Sequence, residues 1–314
     1  MAQVSVVVTV KDEENSILQL LRSLESQSLI PQEVIIVDGG STDGTVNVVK
    51  SFIGSKSSFK LISTDGVNRS KGRNLGISAA STEIIACTDA GVVLNEHWLE
   101  NLVKPLINDN ADFVGGVYVQ SGESLLQKCI GILQYPNLEK LRVEDFLPSS
   151  RAVAFKKSVW RAVGGYPEHL EKAEDTYFDL MVKRKGFKVA LAKDAIVLWP
   201  ARKSLRELFR QYSSYADWDV RAKLYWKLKI YRFMILAYIF LFFSLFLTIK
   251  FGFWGFLPPF LIVLAYLVLA GAKVFKKTRM FLSFFLAMAI KVTIFSAETF
   301  GLIKGLVSRS QRQK

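Results

Sequence analysis

Five acidic side chains stand where chemistry on a bound ligand would need them. Each lies at the end of an apolar run, in a glycine-rich loop or at the start of a helix-like segment. They are Asp38, Asp43, Asp89 and the adjacent Glu174 and Asp175. Carboxylates can hold a divalent cation, accept a hydrogen bond from a ribose hydroxyl or remove a proton from a nucleophile. These residues are therefore the candidates for a binding or catalytic site.

Asp89 follows the apolar run 83–88, which then breaks into an Ala-Gly pair. Two adjacent isoleucines followed by small residues predict a buried strand that ends in a tight turn. Because parallel strands present their carboxyl ends to one edge of a sheet, we expect Asp38, Asp43 and Asp89 to gather around one ligand. A purely structural role stays open, since Asp38 can make an Asx-turn and Asp43 can cap the next helix.

A basic cluster, Arg69, Lys71 and Arg73, lies in the segment VNRSKGRNLGI, where a helix is predicted to begin near Lys71. Cationic side chains at a helix N-terminus favour a diphosphate through both their charge and the helix dipole. A solvated run of charges is the alternative. The position of the cluster directly before the Asp89 strand favours the ligand.

The order of elements in residues 1–200 predicts an α/β domain. Apolar runs predict strands at 4–10, 33–38, 59–63 and 83–89, and helical spacing predicts helices at 14–28, at 45–53 and from Lys71. This alternation with short connections is typical of a mostly parallel sheet flanked by helices. Further along, the pattern predicts strands at 114–118, 152–155 and 188–198 and helices at 123–143, 158–163 and 174–185.

Charge is distributed unevenly. Residues 1–200 hold 22 Lys and Arg against 24 Asp and Glu, whereas residues 201–314 hold 19 against 4. The basic residues of the second part flank or interrupt apolar segments, so they indicate anionic lipid headgroups and no nucleic-acid partner. Two cysteines in apolar stretches indicate a reducing compartment, and the N-terminus reads as a first strand and not as a signal peptide. We therefore expect the soluble domain to be cytoplasmic.

The C-terminal part, residues 233–314, predicts a multi-pass region of the cell membrane. Residues 233–249 and 251–272 are uncharged runs, each long enough to cross an apolar core about 30 Å thick. Residues 281–307 are apolar but contain three charged side chains. This helix is expected to lie amphipathically against the membrane or the other helices, with a third span as the alternative.

Residues 201–232 mix basic and aromatic side chains at helical spacing. Such a segment is typical of interfacial helices, in which Trp and Tyr lie at headgroup level and Lys and Arg face phosphates. An ordinary packed helix is the alternative. The predicted domains are thus 1–200, 201–232 and 233–314.

Six segments together resemble family 2 glycosyltransferases in order and approximate spacing. They are VVVTVKDEEN, EVIIVDGGSTDGT, GRNLGI, IACTDAG, VGGYPE and AEDTYFDL, and they span about residues 3–200. The resemblance implies the GT-A fold, an inverting mechanism and a nucleotide-sugar donor, UDP- or GDP-linked. Many members also carry C-terminal membrane helices.

For the donor, the resemblance implies a nucleotide pocket and a diphosphate contact. Its residues would be Thr9, Lys11 and Glu13 at the pocket border, Asp38 at the base, Asp43 in the same loop, and Lys71 and Arg73 near the diphosphate. Arg151 is a further candidate for the diphosphate or the acceptor. Asp175 matches the general base of the family's acidic pair, and Glu174 would orient it.

Asp89 matches the first acidic position of the family's Asp-x-Asp motif, which binds the ribose and a divalent metal, Mg²⁺ or Mn²⁺. The chain departs from this motif at position 91, which is Gly where the family has a second Asp. A subset of the family with Thr-Asp-Ala-Gly resembles this chain, so the change is interpreted as a variant of the metal site.

These patterns predict a membrane-anchored glycosyltransferase that acts on a lipid-linked or membrane-proximal acceptor. A catalytically silent family member that serves as a membrane scaffold for another transferase is the alternative, because of Gly91. A nucleotidyltransferase shares the α/β core. It would need a basic, glycine-rich loop directly after the first strand, where this chain has KDEEN.

Overall fold

The computed structural model describes residues 3–135, 138–139, 141–144, 146–224 and 229–312. The chain forms two compact units. The first comprises residues 1–121 and 136–200, and the second comprises residues 122–135 and 201–314. The second unit therefore takes one short segment from within the predicted catalytic domain.

Eight strands of the first unit form one mixed sheet. They are β1 (Val4–Val10), β2 (Glu33–Asp38), β3 (Phe59–Ser63), β4 (Ile84–Asp89), β5 (Val93–Leu94), β6 (Phe113–Ser121), β7 (Val153–Lys156) and β8 (Val189–Pro200). Their order is β3-β2-β1-β4-β7-β6-β8-β5. Strands β1 to β4 pair in parallel, whereas β7 runs antiparallel to both β4 and β6. The predicted α/β fold with a mostly parallel sheet is confirmed.

Strand β1 shows why the central strands of the sheet are apolar at successive positions. Val6 and Val8 belong to one buried cluster, and Val7 belongs to the cluster on the other face of the sheet. Successive side chains of a strand point to opposite faces, so a strand covered on both sides must be apolar throughout. The alternation also fixes the register, which pairs Thr9 with Asp89 and Val10 with Asp38. The carboxyl ends of β1, β2 and β4 therefore lie side by side.

Six helices complete the first unit. They are α1 (Ile17–Glu25), α2 (Thr45–Ile53), α3 (Arg69–Ala79), α4 (Trp98–Ile107), α6 (Lys157–Val163) and α7 (Glu174–Arg184), with α5 (Leu125–Gln134) belonging to the second unit. Helix α3 begins with Asn68, whose side-chain oxygen accepts a hydrogen bond from the backbone N–H of Lys71. Helix α6 ends at Gly164 in the left-handed conformation, as its Gly-Gly pair predicts.

The helix predicted at 123–143 is shorter than expected. Helix α5 ends at Gln134, and Tyr135 is extended, with φ −60° and ψ 119°. Tyr135 precedes a proline in the sequence, and the proline ring disfavours the helical conformation of the residue before it. The described residues 138–139 and 141–143 are not helical, and residues 136, 137 and 140 of the predicted helix lie outside the described residues.

The second unit contains α5, α8 (Leu205–Arg221), α9 (Lys229–Phe251), α10 (Phe253–Thr278) and α11 (Phe281–Arg312). Segments 234–251, 253–278 and 281–308 of the last three helices are each long and apolar enough to cross a membrane. Three apolar helices thus fit the predicted membrane region, and the third is as long as a full span. How many of them cross a membrane stays a prediction.

Helix α8 packs closely on α11. A Cβ atom added to Gly301 would lie 2.2 Å from the Ser213 carbonyl oxygen, so only glycine fits there. Lys304 also pairs with the buried Asp217 at 3.2 Å. The inner face of the predicted interfacial segment is therefore packed against protein, and headgroup contact of its outer face stays a prediction. Residues 225–228 of that segment lie outside the described residues.

Gly76→Ala is expected to destabilise the first unit. A Cβ atom at position 76 would lie 2.5 Å from Val7 Cγ1 and 3.2 Å from Val37 Cγ2, so helix α3 would have to move away from the sheet. We expect a loss of about 1–3 kcal/mol in the free energy of unfolding, measured on the detergent-solubilised full chain. Ser78→Ala, on the exposed side of the same helix, is the control. Equal stability of the two variants would contradict this packing.

Candidate active site

A cavity of about 570 Å³ opens at the carboxyl ends of β1, β2 and β4. The residues that line it are Thr9, Val10, Lys11, Asp12, Glu13, Val37, Gly39, Gly66, Val67, Asn68, Arg69, Gly72, Asp89, Ala90, Glu171 and Lys172. Ligands of open α/β sheets bind at this edge, where loops leave neighbouring strands. The cavity mixes carboxylates, cations and backbone, which suits a polar and charged ligand.

Arg73 lies in the protein interior next to this cavity and links two of the candidate carboxylates. Its guanidinium donates to Asp89 Oδ1 at 2.6 Å and to Glu174 Oε1 at 2.7 Å. Only 2% of the Arg73 side chain is exposed. The planar guanidinium presents several N–H donors in fixed directions, so one side chain can hold two carboxylates at once. Residues from α3, β4 and α7 are thereby tied together.

Asp89 remains ionised under this arrangement. Burial raises the pKa of a carboxyl group, but the charges of Arg73, Arg151 and Arg69 outweigh it and lower the pKa of Asp89 to about 2. Arg151 contributes from the far side, with its Nε 3.8 Å from Asp89 Oδ2 and its guanidinium 4.0 Å from the Trp199 ring centroid. Asp89 thus carries a full negative charge that is partly offset by arginines.

The acidic pair opens α7. Glu174 is buried against Arg73, and burial raises its pKa against the opposing charge of that arginine. Asp175 is half-buried, and its Oδ1 accepts the backbone N–H of Thr176 at 2.8 Å. Ala173, immediately before them, has a left-handed φ of 60°. This conformation costs about 1–3 kcal/mol and is found where neighbouring structure enforces it, often at functional sites.

Asp38 and Asp43 hold their own loop. The carboxylate of Asp38 accepts hydrogen bonds from the backbone of Gly40 at 3.1 Å and of Ser41 at 3.2 Å. Asp43 accepts from the backbone N–H of Thr45 at 3.0 Å at the start of α2. Both turn and capping roles considered from the sequence are thus present. Such bonds leave room for a ligand contact, which stays a prediction for both residues.

The remaining sequence candidates divide into two groups. Thr9, Lys11 and Glu13 line the cavity, as does Asp89. Lys71 is exposed on the first turn of α3, and Arg73 is buried beside the cavity. The expectation that Arg73 reaches the diphosphate disagrees with its burial, because both carboxylate partners draw its guanidinium inwards.

Sequence reasoning missed three features of the site. Glu171 and Lys172 line the cavity from the loop before α7, and their only sequence signal is their closeness to the acidic pair. Asp179 is buried one helical turn after Asp175, and its Oδ2 has no hydrogen-bond partner among the residues that the structure describes. Burial, and then the charge of Asp175, raises the pKa of Asp179 well above its ordinary value. Burial therefore favours the protonated form of Asp179.

The donor set at Asp89 fits a cation that arrives with a diphosphate. Within the described ranges, no group of three or more His, Cys, Asp or Glu side chains is placed to hold a metal ion. Asp89 Oδ1 accepts a hydrogen bond from Arg73. Arg151 Nε lies 3.8 Å from Asp89 Oδ2, which is beyond the usual hydrogen-bond distance. Mg²⁺ usually binds through one or two carboxylates plus substrate phosphates and water. The arrangement does not suit a metal centre made of protein ligands alone.

Arg73→Met is expected to destabilise the protein by about 3–5 kcal/mol at pH 7.5, because it leaves the buried Glu174 without its cationic partner and removes one of the cations next to the partly exposed Asp89. The lowered pKa of Asp89 gives stability that is present above the unfolded pKa of about 3.9 and is lost as pH falls towards 2. In the variant both carboxyls can protonate, so the difference should shrink at pH 4.5.

Unfolding of the full chain at both pH values measures this difference. The control is Arg184→Met, which removes an exposed arginine from helix α7 and should change stability by less than about 0.5 kcal/mol. A loss for Arg73→Met that is equal at both pH values would contradict the ion-pair account.

Asp179→Asn is expected to stabilise the protein at pH 7.5. A carboxyl whose pKa is raised in the folded state lowers the free energy of unfolding as pH rises above its pKa in the unfolded state, about 3.9. Asn does not titrate, so the variant avoids this loss of stability. The gain over wild type should vanish at pH 4.5. Thermal unfolding at the two pH values measures it, with the exposed Asp194→Asn as control. A destabilised Asp179→Asn at pH 7.5 would show that Asp179 is a charged partner.

Comparison with known proteins agrees with this geometry. Residues 5–147 match the sequence model of glycosyl transferase family 2. Glycosyltransferase AglE of Haloferax volcanii is 27% identical over 212 residues, which cover 63% of this chain and 67% of AglE. The O-antigen chain rhamnosyltransferase RfbN of Salmonella typhimurium is 27% identical over 208 residues, which cover 62% of this chain and 65% of RfbN. About a third of each relative thus lies outside the matched stretch.

Among solved structures, the mannosyltransferase PcManGT from Pyrobaculum calidifontis, in complex with GDP-Man and Mn²⁺, superimposes with a TM-score of 0.61. It covers 97% of this chain and 87% of its own at 17% identity, so the likeness concerns the fold. The chain therefore carries a family 2 glycosyltransferase domain with the GT-A fold, matched by the family model over residues 5–147.

Proposed function

We propose that this glycosyltransferase transfers a sugar, with inversion, from a nucleotide diphosphate sugar to a lipid-linked or membrane-proximal acceptor. The observation that carries the proposal is the bridge from Asp89 through Arg73 to Glu174. It joins the carboxylate in the donor cavity to the acidic pair that would act on the acceptor.

The donor would bind along the ends of β1, β2 and β4. Thr9, Lys11 and Glu13 would border the nucleotide, and Asp38 with its loop would face the base. Arg69 and Lys172 also line the cavity and would meet the negative diphosphate, with Lys71 nearby on α3. The proposed base is uracil or guanine, in line with the GDP-Man that PcManGT holds.

Asp175 would be the general base. In an inverting transfer the acceptor oxygen attacks the anomeric carbon opposite the leaving diphosphate, and one carboxylate takes the proton of the attacking hydroxyl. Asp175 is half-buried at the start of α7, and Glu174 beside it is fixed by Arg73. Glu174 would therefore hold the helix start in place, and Asp175 would accept the proton.

The proposed divalent cation, Mg²⁺ or Mn²⁺, would be held by Asp89 together with donor oxygens. When bound it offsets the negative charge of the departing diphosphate. The neighbouring cations Arg69 and Lys172 would contribute to the same stabilisation through their own charge.

Membrane association supports a lipid-linked or membrane-proximal acceptor. Three apolar helices could cross a membrane, and residues 201–314 hold 19 basic against 4 acidic side chains. Basic residues next to apolar spans favour the cytoplasmic, anionic side of a bilayer. We therefore propose a cytoplasmic catalytic domain on a multi-pass cell-membrane protein, where the nucleotide sugar and the lipid-linked substrate meet.

Asp175→Asn is expected to lower transfer about 10²–10⁴-fold while donor binding is retained, because the change removes the proton acceptor and leaves the cavity intact. Asp89→Asn should weaken donor binding itself. Transfer of radiolabelled sugar to membrane lipid extract and equilibrium binding of the same donor measure the two effects, with Asp194→Asn as a control of unchanged activity. Full transfer by Asp175→Asn would refute its role. Donor binding without transfer in wild type and variants alike would favour the silent scaffold.

A further inference from the structure

Gly91 is the position at which this chain lacks the second acidic residue of the family motif, and the space beside it is already occupied. Gly91 has a φ of 77°, and a Cβ atom built on it would lie 3.3 Å from Glu13 Oε2 and 3.5 Å from Glu13 Oε1. Both Glu13 and Asp89 line the same cavity. The Glu13 carboxylate is therefore in contact with the position where a side chain of residue 91 would begin.

Several contacts hold Glu13 in this place. Strands β1 and β4 pair Thr9 with Asp89, so the loop after β1 runs beside the loop after β4. The Glu13 backbone N–H donates to Thr45 Oγ1 at 2.7 Å, and its carboxylate accepts the hydroxyl of Ser16. The Glu13 carbonyl also accepts the N–H of Ile17 at 2.9 Å, at the first residue of α1. The backbone on both sides of the carboxylate is thus fixed.

The arginines around Asp89 offset its negative charge, so a cation site at this position would gain from a second acidic side chain. Arg73 and Arg151 offset the charge of Asp89, so this carboxylate alone is a weak attractor for a divalent cation. Glu13, by contrast, takes part in none of the ion pairs found among the described residues. Its carboxylate lines the same cavity as Lys11 and Arg69 and, among the described residues, forms no ion pair with either.

We propose that Glu13 is the second acidic group of the cation site and replaces the side chain that Gly91 lacks. This inference rests on the proposed function and deepens it, because it concerns how the nucleotide-diphosphate donor and its cation are held. Asp89 and Glu13 would each give one carboxylate oxygen, and the diphosphate and water would complete the shell of Mg²⁺ or Mn²⁺. The two acidic groups of the motif would thus lie side by side in the fold, although the second one comes from a different part of the sequence.

Calorimetric titration of UDP and GDP into the detergent-solubilised full chain, with and without Mn²⁺, tests the proposal. In wild type, Mn²⁺ should strengthen binding of one of the two nucleotides. Glu13→Gln should reduce this Mn²⁺-dependent gain at least about 10-fold, since even outer partners of metal ligands contribute that much. Glu14→Gln is the matched control. It removes the same charge from the next residue, whose carboxylate binds the Gly44 backbone outside the cavity.

Moving the acidic side chain from position 13 to position 91 gives a second, more specific test. Gly91→Asp alone should give no gain, because its side chain would meet Glu13 at 3.3 Å and two carboxylates would repel. Glu13→Ala should lose the Mn²⁺ effect, and adding Gly91→Asp to Glu13→Ala should restore it, because the new carboxylate enters the vacated space. Asp tolerates a positive φ better than most residues.

The outcomes separate this inference from the proposed function. If Glu13→Gln lowers Tm but leaves the Mn²⁺-dependent gain intact, Glu13 only supports the loop and the inference is overturned. If wild type binds a nucleotide equally well without Mn²⁺, the inference also fails while the donor site stands. If neither nucleotide binds wild type under any condition, both the proposed function and the inference fail.

Discussion

The rest of the site depends on one buried guanidinium. Arg73 is almost fully excluded from solvent, and burial of an ion costs several kcal/mol unless charged partners compensate. Its partners are the two carboxylates that define the ends of the site, Asp89 on β4 and Glu174 on α7. Arg73 is the cation that both carboxylates share, and Arg151 adds a second positive charge near Asp89. The geometry of the candidate site is thus held by electrostatics between elements that are far apart in sequence.

This constraint also explains which neighbours are tightly fixed. Helix α3 must approach the sheet closely for Arg73 to reach β4, and Gly76 permits this approach against Val7 and Val37. Tyr166 adds its ring, with the centroid 5.2 Å from the Arg73 guanidinium carbon. The helix, the strand and the acidic pair therefore form one rigid group around the inner wall of the cavity.

The strands and the edge at which the candidate cavity opens were predictable from the sequence, because β1, β2 and β4 are mainly apolar and buried on both faces. Asp89 was found as the residue that ends such a run. The partner of Arg73 was not predictable from local pattern, since Glu174 is 101 positions away and only folding brings it within 2.7 Å. The same reason hid the approach of Glu13 to Gly91, which joins the loops after two different strands.

Some sequence signals pointed in the wrong direction for identifiable reasons. Apolar spacing extended the helix of residues 123–143 beyond Gln134, where the residue before a proline leaves the helical conformation. The resemblance assigned Lys71 and Arg73 to the diphosphate, but the Arg73 guanidinium is buried and donates to Asp89 and Glu174. Residue type alone cannot separate a cation that meets a ligand from one that holds the residues around it.

The central claim is that Asp89 and its neighbours form a nucleotide-sugar site. Thermal unfolding of the detergent-solubilised full chain with a panel of UDP, GDP and dTDP sugars in the presence of Mn²⁺ tests it, because a ligand that binds only the folded state raises Tm. The account predicts that at least one nucleotide sugar raises the Tm of wild type and leaves that of Asp89→Asn unchanged. Equal stabilisation of both proteins, or of neither, would contradict it.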